Sequence, residues 1–126
     1  RKGGKEGCGE GECGACTGMI DGQVACSCIT LAQTVEGCDV VTVEGLQDRV
    51  SREAHPVQRH FVEAMGTQCG FCTPGMVLSA VALLDENPNA SREEILDGIS
   101  GNLCRCTGYV KIVDAIERAQ AELNGK

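Results

Sequence analysis

Ten cysteines fall into two groups, separated by the interval between Cys38 and Cys69. The first group opens Cys8-x4-Cys13-x2-Cys16, with Cys26, Cys28 and Cys38 further on. A C-x4-C-x2-C run followed by a distal cysteine is the plant-type spacing for a 2Fe–2S cluster. Such a cluster with four thiolates carries net negative charge, which is costly to bury unless N–H groups point at the sulfurs. A loop that wraps it must turn sharply, and glycine permits those backbone conformations. Gly7, Gly9, Gly11 and Gly14 interleave with the cysteines. The fourth ligand is open between Cys26 and Cys28, because residues two apart in an extended segment point to one face. Cys38, after Gly37 in a turn, reads as a bystander.

The second group is Cys69-Gly-Phe-Cys72 and Cys104-Arg-Cys106. Each pair sits between one helical pattern and the next. Val57, Phe61 and Met65 repeat at helical spacing before Gly66, and Thr73-Pro74 reads as an N-cap and first helical position. Met76, Val77, Ala80, Val81 and Leu84 form the next apolar stripe. Ser91 to Glu94 is a capping box opening a helix with Ile95, Leu96 and Ile99, which Gly101-Asn102 stops. A last helix carries Ile112, Ile116, Ala119 and Leu123 on one face. Two helix pairs facing each other would gather four thiolates, with Cys72 and Cys106 near helix N-termini that favour negative charge. Spacing alone leaves a structural zinc site open for this group, since four thiolates also suit Zn²⁺.

The elements around the first group are strands. Thr17 to Ile20, Asp21-Gly22, then Gln23 to Cys26 reads as a hairpin, and Asp39 to Val43 as a further strand. Composition narrows the function classes. The net charge of −7 argues against nucleic acid and an anionic membrane surface as partners. The longest nearly apolar stretch, Met76 to Leu84, falls well short of the ~20 residues of a spanning helix. Arg1 to Glu6 does not read as a signal peptide, which weighs against a disulfide framework and for a cytoplasmic location. Aromatics are only Phe61, Phe71 and Tyr109, so something besides apolar burial must stabilise so short a chain.

Three stretches carry a family resemblance: Gly7-Cys8-Gly9-Glu10-Gly11-Glu12-Cys13-Gly14-Ala15-Cys16-Thr17, Gln68-Cys69-Gly70-Phe71-Cys72-Thr73-Pro74-Gly75-Met76, and Gly101-Asn102-Leu103-Cys104-Arg105-Cys106-Thr107-Gly108-Tyr109. With His55-Pro56-Val57-Gln58, they resemble the small iron–sulfur subunit of the xanthine dehydrogenase family of molybdenum hydroxylases. The resemblance implies an α+β chain: a ferredoxin-like β-grasp domain over residues 1–50, then an all-α four-helix domain over 51–126, each with a 2Fe–2S cluster. It implies Cys8, Cys13, Cys16 and Cys28 as ligands of the first cluster, Cys28 lying twelve residues after Cys16. It implies Cys69, Cys72, Cys104 and Cys106 for the second, with Gln68 and Cys106 facing a molybdopterin. The family carries a longer stretch before its first cysteine loop, so the β-grasp sheet is expected to be incomplete and the chain truncated at Arg1. Gly18 stands where an apolar strand residue is usual.

The function implied is single-electron relay from a molybdopterin on a large partner subunit, through two 2Fe–2S clusters, to FAD on a flavin subunit or to another acceptor. The chain itself supplies no catalytic acid, base or nucleophile. A stand-alone ferredoxin-type carrier and a zinc-stabilised interaction module are the alternatives. His55 and His60 lack the paired arrangement of a Rieske site. Glu93-Glu94 reads as helix capping, and Arg105, between two ligands, as either a tuner of cluster charge or a surface ion pair.

Overall fold

The computed structural model describes residues 1–125. The hairpin forms where expected. Strand β1 (Thr17–Ile20) pairs antiparallel with β2 (Gln23–Cys26), Ile20 opposite Gln23 and Thr17 opposite Cys26. Asp21 and Gly22 turn the chain with φ of 48° and 83°, as a type I′ turn requires. Strand β3 (Val40–Val41) pairs with the other side of β1, giving the order β2-β1-β3. It is shorter than the Asp39–Val43 expected, because Val43–Gly45 winds into a 3₁₀ turn.

Four helices follow: α1 (Pro56–Glu63), α2 (Thr73–Glu86), α3 (Arg92–Gly98) and α4 (Val110–Leu123). Helix α1 opens on a capping box that the sequence hid. His55 Nδ1 accepts from the Val57 N–H at 3.2 Å, while Gln58 Oε1 accepts from the His55 N–H at 2.9 Å. The apolar stripe of α1 ends one turn early. Val57 and Phe61 are buried, but Met65 lies past the helix with φ +57° and is exposed. Helix α2 begins one residue sooner than the Thr73-Pro74 signal implies, with Cys72 as N-cap and Thr73 inside the first turn. The box at Ser91 forms as expected: Glu94 N–H donates to Ser91 Oγ at 3.2 Å and Ser91 N–H to Glu94 Oε2 at 2.7 Å.

Helix α2 is the centre of the molecule. Gly75 through Val81 are all buried, as is Leu84, because α2 packs against the hairpin on one side and α1 and α3 on the others. A helix apolar on nearly every face is a core helix. Met19 of β1 shares one core with Phe61, Met76, Leu78, Ile95, Ile99, Ile112 and Ile116. Sheet and helices thus bury their apolar faces against each other, and the two cysteine-bearing regions meet at the α2 N-terminus.

Candidate metal centres

The loop Gly7–Cys16 curls so that three backbone N–H groups, from Glu10, Glu12 and Cys13, reach Cys8 Sγ, each at 3.4 Å. These groups and the neighbouring Cys13 thiol pull Cys8 down to about 6, into the thiolate range at neutral pH. Backbone angle favours glycine at Gly9, Gly11 and Gly14, with φ of +70°, +78° and +73°, and space favours it at Gly7. A Cβ on Gly7 would stand 2.8 Å from Cys13 Sγ, and one on Gly11, at φ +78°, 2.6 Å from Ile29 Cδ1.

Cys16 and Cys28 form a second pair beside Cys8 and Cys13. Burial raises the Cys16 thiol, but the Cys28 N–H and thiol and the Ser27 hydroxyl outweigh it and leave Cys16 below its ordinary value. The same contact with Cys16 lifts Cys28. Cys26 is a fifth thiol close by. It donates to the Gly11 carbonyl at 3.5 Å, and burial, then the charge of Cys16, raises it. An open depression of about 340 Å³ lined by Gly4, Lys5, Glu6, Cys16, Ser27 and Cys28 lies against this set.

The Cys69–Cys72 and Cys104–Cys106 loops face each other and pair their thiols across the gap. The Phe71 N–H and the Cys106 thiol draw Cys69 down, and the contact with Cys69 raises Cys106. Burial and the Cys104 thiol push Cys72 up to about 12, despite its place at a helix N-terminus. Cys104 goes the other way: burial opposes it, but the Thr107 hydroxyl, 3.0 Å from its Sγ, takes it below the usual thiol value. Tyr109, at φ +70°, turns its hydroxyl back to accept the Cys104 N–H at 2.8 Å. Cys69 and Cys106 are exposed while Cys72 and Cys104 are half-buried.

Among the described residues, no three metal-binding groups converge as tightly as a single ion demands. A 2Fe–2S cluster asks for two thiolate pairs, one per iron, and N–H groups aimed at sulfur. Both sets supply paired thiols, and the first supplies three N–H donors to a single sulfur. The residues present fit the group.

The two sets are joined by a contact that sequence reasoning missed. Asn102, which read as a helix stop, is 4% exposed. Its Nδ2 donates to the Gly14 carbonyl at 3.2 Å and the Thr17 hydroxyl at 3.3 Å, while Ser79 Oγ donates to its Oδ1 at 2.7 Å. Beside it, Leu103 N–H donates to the Cys13 carbonyl at 2.9 Å. Closeness demands glycine on both sides. A Cβ on Gly14 would lie 2.5 Å from the Gly101 carbonyl, and one on Gly75 would collide with the Gly14 carbonyl.

The remaining candidates are placed without ambiguity. Gln68 is exposed next to Cys69. His55 caps α1, and His60 Nε2 lies 2.7 Å from Glu122 Oε2, so neither adjoins a thiol set. Glu94 caps α3 and Arg105 is exposed. The Asp21 carboxylate accepts from the Cys38 thiol and raises it.

Residues 42–117 match the family model of the 2Fe–2S binding domain. The nicotinate dehydrogenase small FeS subunit of Eubacterium barkeri is 50% identical over 117 residues, 91% of this chain and 72% of that subunit. The nicotine 6-hydroxylase small subunit of Paenarthrobacter nicotinovorans is 45% identical over 122 residues, 97% of this chain and 72% of that protein. Among solved structures, quinoline 2-oxidoreductase from Pseudomonas putida 86 superposes with a TM-score of 0.89 at 47% identity, over 98% of this chain and 77% of that one. Thiol spacing, paired thiols and relatives agree: the chain belongs to the family of small 2Fe–2S subunits of molybdenum-dependent oxidoreductases.

Proposed function

We propose that the chain relays single electrons between a molybdopterin site on a large partner subunit and a flavin subunit, through two 2Fe–2S clusters. Cys8, Cys13, Cys16 and Cys28 would hold one cluster, and Cys69, Cys72, Cys104 and Cys106 the other. The observation that carries this reading is the gathering of cysteines into two sets joined by the Asn102 hydrogen bonds, with three backbone N–H groups aimed at the Cys8 sulfur. A 2Fe–2S cluster supplies reversible one-electron chemistry. This chain's residues supply what surrounds it: N–H groups that offset its charge, and a packed scaffold that sets its position.

Cys28 rather than Cys26 takes the fourth place in the first set on the family resemblance, which puts the last ligand twelve residues after Cys16. Gln68 and Cys106 are exposed, as a face turned to a partner's pterin requires. The N-terminal part, residues 1–50, and the helical part, 51–126, act as two cluster-binding units seated on one core. Among the described residues, no helix is long and apolar enough to cross a membrane. Thiolate ligands suit a reducing compartment, and we assign the chain to the cytoplasm.

The test is the absorption and EPR spectrum of the reduced protein, with iron and sulfide analysis. Two distinct 2Fe–2S signals are expected. A colourless zinc protein or a single cluster would overturn the relay.

A further inference from the structure

The geometry points to Asn102 as the positioning residue that fixes the separation of the two thiol sets. The inference rests on the two-cluster reading and deepens it. Among the described residues, the Asn102 side chain makes no hydrogen bond to a thiol. It acts through Gly14, which lies between Cys13 and Cys16, and through its own backbone position two residues before Cys104. A buried amide is costly unless its donors and acceptor are paired. Each partner of Asn102 comes from a different place: Gly14 and Thr17 from the first cysteine loop and β1, Ser79 from α2. The amide therefore closes in one geometry only, and that geometry presses the Gly14 turn against the loop carrying Cys104.

The surroundings reinforce this. The Gly14 carbonyl also accepts from the Thr17 N–H at 3.1 Å and the Thr17 hydroxyl at 2.7 Å, so it cannot turn away without breaking three contacts. Leu103 N–H, next in chain, donates to the Cys13 carbonyl across the junction. Apolar packing alone would hold α2 against the sheet but would let the two loops slide. Directional hydrogen bonds at a glycine–glycine contact do not.

When one electron passes, one cluster is oxidised and the other reduced by that electron, with no proton or bond change. Both the exchange rate and the magnetic interaction of two reduced clusters fall steeply with separation. Asn102→Ala and Asn102→Asp should therefore keep the iron and sulfide content and the individual EPR signals of the chain. They should lose or narrow the spin–spin splitting seen at low temperature when both clusters are reduced, and slow electron exchange after flash reduction. The Asp variant keeps an acceptor for Ser79 but loses the donor to Gly14, so it separates the junction bond from simple cavity formation. If Asn102→Ala fails to hold both clusters, Ser79→Ala, which frees the amide to turn, decides in the same way. Wild-type splitting and exchange in every variant that retains both clusters would overturn the inference. Fewer than two cluster signals in the unsubstituted chain would instead overturn the two-cluster reading beneath it.

Discussion

Leu103 donates its backbone N–H to the carbonyl of Cys13 at 2.9 Å, across 90 residues of sequence. One hydrogen bond thus connects a cysteine of the first set to the residue preceding Cys104 of the second. The neighbouring Gly14 makes this approach possible, since a Cβ there would lie 2.5 Å from the Gly101 carbonyl.

The first prediction tests that closeness. Gly75→Ala places a methyl group against the Gly14 carbonyl, inside a buried stretch of α2 with no room to give. Overpacking of this kind costs about 1–3 kcal/mol. Thermal melting should show a lowered midpoint, and the absorption of the first cluster should bleach faster in air. An unchanged midpoint would mean that the loops separate freely.

Ligand choice is the second. Cys28→Ser should remove or distort the first cluster, and Cys26→Ser should leave it intact. The reason is the spacing that the family resemblance implies, with the last ligand twelve residues after Cys16. Iron analysis and visible absorption of the two variants check it. Loss of iron from Cys26→Ser alone would reverse the assignment.

Acid stability is the third. Arg59 grips Glu122 with both guanidinium nitrogens, at 2.6 and 3.0 Å, and His60 adds a contact at 2.7 Å. The Arg59 bond, then that of His60, hold Glu122 at about 2 against an ordinary 4.5. A carboxylate lowered on folding stabilises above its unfolded value and loses that contribution as pH falls through the folded one. The contribution is therefore complete above 4.5 and fades toward 2. In urea unfolding across that window, Glu122→Gln should flatten the acid limb. A parallel curve for the variant would show that the pair contributes nothing on folding.

The fourth concerns the order in which the chain comes apart. Few residues before Val57 are buried, mainly Gly14 to Thr17 and Met19, whereas α2 is buried along most of its length. Metal binding is then a larger share of the folding free energy for the first cysteine loop than for the helices. Under mild chelation in air, hydrogen exchange should rise across Gly7 to Cys28 while Met76 to Leu84 stays protected. Simultaneous loss in both segments would make sheet and helices one cooperative unit and end the division near residue 50.

Much of this was legible along the chain. The cysteine spacing, the Asp21-Gly22 hairpin and the Ser91 box are local patterns, and local hydrogen bonds decide them. What escaped depends on contacts between distant segments. Asn102 reads as a helix terminator because its partners lie 23 to 88 residues away. His55 reads as a spare imidazole, although its ring nitrogen does the work usually left to a serine or aspartate. Met65 continues the spacing of Val57 and Phe61, yet the chain turns at Ala64, and periodicity carries no mark of where a helix stops without its neighbours.

The exposure of Cys8, Cys69 and Cys106 has a bearing on how the metal arrives. Each thiol set opens to solvent at one edge while its other edge rests on the core. Iron and sulfide can therefore reach the Cys69–Cys106 set from outside, with no helix displaced. A partner seated over Gln68 and Cys106 would close the edge of the second set alone, so that set would have to be filled before docking.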